Sequence, residues 1–280
     1  MSVEGREDEE EREPRQMWFL AAAGWTIALF FAINVTAQLT EAARPGASRD
    51  LVNDTACELF AYSLLLFAMV RVYAPTTPMR VALGVRPVSP LHVVLAAVAG
   101  AGVAPAMAML DELMAKRFPQ SPEEVEALTK LLTAPTIGQR IALVVALVVA
   151  SPIVEELFFR GILFNGVRKG RTIATATLAT TVYYASMQLD PRTFFATLAF
   201  GGLLGWLRAQ SGSVASSIAA HVAFQAVQVA PLVRTGDPSV DFVYPRSWTL
   251  GGALAALLAL LAARALAARD DRALAANKEP

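Results

Sequence analysis

The sequence predicts an all-α fold, a polytopic transmembrane helix bundle of about eight spans. Three observations predict it. Of the 280 residues 55% are hydrophobic and 17% charged, against about 45–50% and about 25% in soluble domains. Mean hydropathy is +0.46. Apolar runs near the roughly 20 residues that cross a bilayer recur along the chain. The remaining composition excludes other classes. Lys+Arg 24 against Asp+Glu 24 leaves no basic excess, so no nucleic acid is expected as a partner. Cys57 is the one cysteine, which excludes an intrachain disulfide framework and a cysteine-based zinc site. His92 and His221 are the two histidines, little material for a histidine-rich metal site.

The elements follow in order. Residues 1–15 hold seven acids and three arginines with no apolar run, the composition of a disordered acidic tail. They lack the basic start of a signal peptide, so the first apolar segment is expected to be a retained span. Spans are expected near Met17–Ala37, Cys57–Ala74, Leu91–Leu110, Ile141–Phe164, Ile173–Gln188, Phe194–Leu207, Val214–Leu232 and Trp248–Leu266. The fifth and sixth are short for a bilayer. The longest connection, 111–140, contains Ser121-Pro122-Glu123-Glu124, a helix start with proline in the first turn and glutamate three residues after serine. Val125, Leu128, Leu131 and Leu132 continue it at helical spacing. An amphipathic helix on the membrane surface and an ordinary capped loop helix both fit that pattern. The chain closes on a charged, Ala-rich tail without a Cys-a-a-X box. With the N-terminus inside, fourteen Lys and Arg fall in cytoplasmic segments and nine opposite. That bias predicts an integral protein of the plasma (inner) membrane with both termini cytoplasmic.

The segment that carries chemistry is Ser151-Pro-Ile-Val-Glu155-Glu156-Leu-Phe-Phe-Arg160. Glu155 lies roughly 21 Å along a helix from Ile141, well inside a bilayer. An ionisable group there costs about 2.5–3.5 kcal/mol even on the lenient insertion scale, and such groups face a bundle interior or a water cavity. Glu156 and Arg160 stand at i and i+4 with the acid first, the favourable order for a helical ion pair. Glu155 is turned away by about 100°, which leaves it as the free carboxylate, able to act as a general base or acid toward water. His221 and Gln225 share one helix face at i, i+4, and so do Tyr184 and Gln188. Convergence of these faces on Glu155 would give a carboxylate, an imidazole and two amides around one pocket. Each polar group also has a plainer reading. An intramembrane histidine often serves an interhelical hydrogen bond, Gln188 stands at a span end beside Asp190, and His92 reads as interfacial. Asp54 and Glu58, at the start of the second span, read as helix-start carboxylates favoured by the macrodipole. Gly201-x-x-x-Gly205 reads as a close-packing face.

Taken together, residues 140–230 resemble the CPBP family of intramembrane glutamic endopeptidases, also called the CAAX protease and bacteriocin-processing (Abi) family. That family carries E-E-x-x-x-R, then F-x-x-x-H, then H-x-x-x-N or H-x-x-x-D, on successive spans. Here Glu155-Glu156-Leu-Phe-Phe-Arg160 followed by Gly161 is complete. Gly201 through Gly205-Trp206 to Gly212-Ser213 resembles the stretch before the family's third motif. Two departures stand out: Tyr184-Ala-Ser-Met-Gln188 has glutamine for histidine, and His221-Val-Ala-Phe-Gln225 has glutamine for asparagine.

The resemblance implies a domain organisation: a tail at 1–15, N-terminal transmembrane helices with the amphipathic loop helix at 16–138, CPBP-like core helices at 139–233, and a last transmembrane helix with its tail at 234–280. It implies a reaction as well. Glu155 would be the general base on water and His221 would orient the water or the scissile carbonyl. Gln225, with Gln188, would hydrogen-bond the oxyanion, while Glu156 and Arg160 would shape the site. The substrate would be a membrane-associated peptide or protein, met within the lipid bilayer, and no cofactor or metal is expected. An alternative is a catalytically silent relative acting as a binding, immunity or maturation factor, because glutamine cannot exchange a proton near neutral pH. A small transporter using Glu155 as a proton site is a third reading, against which stands the absence of inverted-repeat halves.

Overall fold

The computed structural model describes residues 15–238 and 242–276. The acidic stretch expected to be disordered lies, except for Arg15, outside the described residues, as does the end of the C-terminal tail. All eight apolar segments form helices. We label the main helices α1 (Phe19–Ala43), α2 (Leu51–Tyr73), α3 (Pro90–Arg117), α4 (Pro122–Leu132), α5 (Ile137–Arg168), α6 (Ile173–Ser186), α7 (Pro191–Ser211), α8 (Val214–Thr235) and α9 (Arg246–Ala276). Among the described residues there is no strand. Six helices, α1, α2, α3, α5, α8 and α9, are long and apolar enough to cross a membrane. Helices α6 and α7 fall outside that set. α6 has 14 residues, about 21 Å of rise against a hydrocarbon core of about 30 Å, whereas α7, extended to 21 residues, is long enough but less apolar.

Helix ends follow local chemistry. Asp50, Thr172, Asp190 and Ser213 accept backbone N–H groups at the starts of α2, α6, α7 and α8, which satisfies donors that lack helical partners. The start of α4 is a reciprocal capping box, with Ser121 Oγ accepting from the Glu124 N–H and Glu124 Oε2 accepting from the Ser121 N–H. Val125 and Leu128 on α4 stay exposed. The last helix runs ten residues past the expected span, through Ala276, because its Ala-rich continuation has high helix propensity.

Two cores flank the site. One joins α1, α2, α5 and α6 through Leu29, Met69, Phe158, Phe159, Leu163 and Ala176. The other joins α3, α7 and α8 through Ala96, Phe200, Leu204 and Ala220. Helix α3 packs on α7, α8 and α9 by close backbone approach. A Cβ on Gly100 would stand 2.0 Å from the Ala220 carbonyl oxygen, and one on Gly102 would stand 2.5 Å from that of Gly252. The start of α3 is therefore covered too. His92, expected at the interface, is 5% exposed with neither ring nitrogen hydrogen-bonded. Large apolar side chains of α1, α2, α3 and α9, such as Phe31, Phe67, Val94 and Leu258, point outward, the surface an integral membrane protein presents to lipid.

Candidate active site

Helix α5 carries the acid motif and departs from regular α geometry on both sides of it. Residues 144–150 and 157–163 are π-helical, and Ser151–Glu156 between them is α-helical. Pro152 lacks an N–H and its ring crowds the preceding turn, so the ladder widens there. In the second wide stretch the Arg160 carbonyl accepts from Arg208 Nε at 3.0 Å. Gly161 lets the backbone of Leu83 approach to 2.8 Å from where a Cβ would stand. Such widened turns are frequent at functional sites.

Glu156 and Arg160 are completely buried and form an ion pair, Arg160 Nη1 donating to Glu156 Oε1 at 2.9 Å. Arg160 Nη2 donates to the Gly201 carbonyl at 3.0 Å, and the guanidinium lies 4.4 Å from the centroid of the Tyr184 ring. The glycine pair of α7 makes that approach possible. A Cβ on Gly201 would stand 3.0 Å from Arg160 Nη2, and one on Gly205 would stand 2.7 Å from Thr177 of α6. His221, 1% exposed, places Nδ1 at 3.2 Å from the same Glu156 oxygen. A ring nitrogen donating to a carboxylate fixes the tautomer and leaves the other nitrogen as an acceptor. That other nitrogen, Nε2, faces Glu155 Oε2 at 3.9 Å. Glu155 is 17% exposed at its side chain, and this oxygen has no hydrogen-bond partner. The site thus brings Glu155, Glu156, Arg160 and His221 together, with Tyr184 against both the arginine and the Glu155 carboxyl. Aromatic rings brace it, Phe158 on Phe159, Phe159 on Tyr184, and Tyr184 and Phe200 edge-on to His221 at 6.1 and 5.3 Å.

The two glutamines are placed differently. Gln225 is half-buried one turn beyond His221 on α8. Gln188 is exposed. Helix α6 ends at Ser186, two residues before it, so the shared face with Tyr184 expected from spacing is not kept. The Met187 and Gln188 N–H groups bond three residues back, Leu189 takes a left-handed backbone at φ 46°, and Asp190-Pro191 opens the next helix. The left-handed Leu189 takes the chain out of the helical path, and Asp190, the residue before Pro191, is held extended.

Glu58 is the residue that sequence reasoning set aside. Its Oε2 accepts from Ser151 Oγ at 2.7 Å, one turn before Glu155 on α5. Nothing local signals this, since it depends on α2 packing against α5. Among the described residues no three His, Cys, Asp or Glu side chains are grouped to hold a metal ion.

Residues 137–227 match the family model described as type II CAAX prenyl endopeptidase Rce1-like. The match agrees with the CPBP resemblance, covers about a third of the chain, and includes every candidate site residue except Glu58. No curated protein and no solved structure matches the chain.

Proposed function

We propose that this protein is an intramembrane endopeptidase similar to the CAAX proteases, hydrolysing peptide bonds near the membrane surface with a glutamate-activated water. Residues 137–227, which match the Rce1-like model, would be its catalytic core, within a plasma-membrane protein whose termini are both cytoplasmic. The observation that carries the reading is the pair Glu155 Oε2 and His221 Nε2, 3.9 Å apart at the only partly exposed end of an otherwise buried charge cluster. That separation is too long for a direct hydrogen bond and suits two groups holding one water between them.

Glu155 takes a proton from this water as its oxygen attacks the scissile carbonyl carbon. His221 Nε2 accepts a hydrogen bond from the water's other O–H, which stays on the attacking oxygen, and so aims its lone pair. It holds that orientation because Nδ1 donates to Glu156, whose charge is balanced by Arg160. The half-buried Gln225 amide offers an N–H to the developing oxyanion. Gln188, exposed past the end of α6, reaches the site as an oxyanion donor only from its mouth. A membrane-associated peptide is the substrate class that fits a site opening from within a helix bundle.

Gln188 in place of histidine favours a second reading, a silent relative that binds a membrane partner. Purified protein in lipid, offered a library of membrane-proximal peptides, separates the two. Cleavage by wild type and none by Glu155→Gln supports the peptidase. Cleavage by Gln188→His alone supports the silent relative.

A further inference from the structure

Hydrolysis of a peptide bond needs one group to take a proton from water and another to give one to the leaving nitrogen. In this site the second group is missing from the recognised motifs. Gln188 carries an amide, which neither takes nor gives a proton near neutral pH. His221 is engaged through Nδ1 with Glu156, and Arg160 is bonded to Glu156 and the Gly201 carbonyl. A further carboxyl reaches the face of α5 that carries Glu155, one helical turn away. Ser151 Oγ donates to Glu58 Oε2 at 2.7 Å, and Ser151 shares a helix face with Glu155 at i, i+4. Tyr62, one turn beyond Glu58, packs edge-on to Phe158 at 5.6 Å and seats this face of α2 on α5.

From these placements the geometry points to Glu58 as a second catalytic residue, which shares one proton with Glu155 and delivers it to the leaving amide nitrogen. The inference rests on the peptidase reading above. Two carboxylates in one buried space do not both stay ionised. The groups facing the pair are Asp54 and Tyr62 from α2, Glu156 and Arg160 from α5, Tyr184 from α6 and His221 from α8. Arg160, the one permanent cation among them, is already hydrogen-bonded to Glu156. The steps balance. Water gives a proton to the Glu155 carboxylate and its oxygen bonds to the carbonyl carbon, which leaves a tetrahedral oxyanion. The Glu58 carboxylic acid protonates the nitrogen, the C–N bond breaks, and a carboxylic acid and an amine depart. The proton on Glu155 returns to Glu58 and resets the pair.

The test uses the full chain in lipid with wild type, Glu58→Gln and Glu155→Gln. Glu58→Gln keeps the shape and the acceptor for Ser151. A peptide that wild type cleaves is compared with the matching 4-nitrophenyl ester, whose leaving group needs no proton. Glu58→Gln is expected to lower kcat on the peptide by on the order of 10²-fold while ester hydrolysis stays within a few-fold, whereas Glu155→Gln lowers both. Equal losses on peptide and ester in Glu58→Gln, or no loss on either, overturn the assignment. A second readout is independent of activity. The infrared carbonyl band of protonated carboxyl groups at neutral pH is expected to weaken in each variant, as the remaining member ionises. An unchanged band in both overturns the shared proton. If wild type cleaves neither substrate, the peptidase reading and the proton delivery fail together, and the infrared comparison decides the shared proton by itself.

Discussion

At the scale of single residues, the Glu156–Arg160 pair joins two charges inside the bundle at 2.9 Å. Both side chains are fully buried, and an ion pair so placed gains little over well-packed apolar residues, yet removing one partner strands the other charge. Arg160→Met is therefore expected to destabilise the protein by about 3–5 kcal/mol, read as a lower thermal midpoint in detergent. The double variant Glu156→Gln with Arg160→Met is expected to recover most of that loss. A double variant no better than Arg160→Met alone would show that the arginine matters through Gly201 and Tyr184 instead of through its charge partner. His221 depends on the same carboxylate, so the stability and the aim of the imidazole are linked at one oxygen atom.

At the scale of elements, α4 is tied to the bundle by surface charge. Arg192 at the start of α7 donates to Glu124 Oε2 at 3.0 Å and to both oxygens of Asp190. The Arg192 hydrogen bond, with its N–H and charge, holds the Asp190 carboxyl below the ordinary carboxylate range. The Ser121 N–H, then Arg192, does the same for Glu124. A carboxyl whose folded value is depressed adds stability above its unfolded value, and that stability is lost as pH falls through the folded one. Docking of α4 on α7 is thus expected to persist through neutral pH and to weaken only below about pH 4. Hydrogen exchange of α4 amides measures it. Arg192→Ala should give the fast-exchanging state already at pH 7, with exchange in α5 unchanged. Equal exchange in wild type and Arg192→Ala at pH 7 would mean that the salt links do not hold α4.

At the scale of the whole molecule, the site depends on backbones brought nearly into contact. Ala220, whose carbonyl faces Gly100, precedes His221. Gly100→Ala forces α3 and α8 apart and is expected to cost about 1–3 kcal/mol or more. Because it shifts the imidazole, peptide cleavage should fall by a larger factor than the loss of folded protein explains. Gly24, with nothing within 4 Å of where its Cβ would stand, provides the control: Gly24→Ala should leave stability and activity near wild type. The whole molecule also reaches beyond the matched span 137–227, because α2 supplies Glu58 and the turn at Met79–Ala82 supplies the carbonyls that Asn165 binds.

The sequence by itself determined the helices and the buried ion pair. Hydrophobic length and capping residues act within one segment, so all eight apolar segments and the capping box at Ser121 were legible. The Glu156–Arg160 pair was legible for the same reason, being one helical turn apart. Tertiary structure alone decided what lies between segments. It buried His92 under the packing of α3 and brought Glu58 to Ser151 across 93 positions of chain. It also ended α6 before Gln188 and left that residue exposed. Periodicity reports which face a residue occupies while a helix continues. It does not report where the helix stops in space or which helix meets that face, because those are settled by packing among segments far apart in the chain.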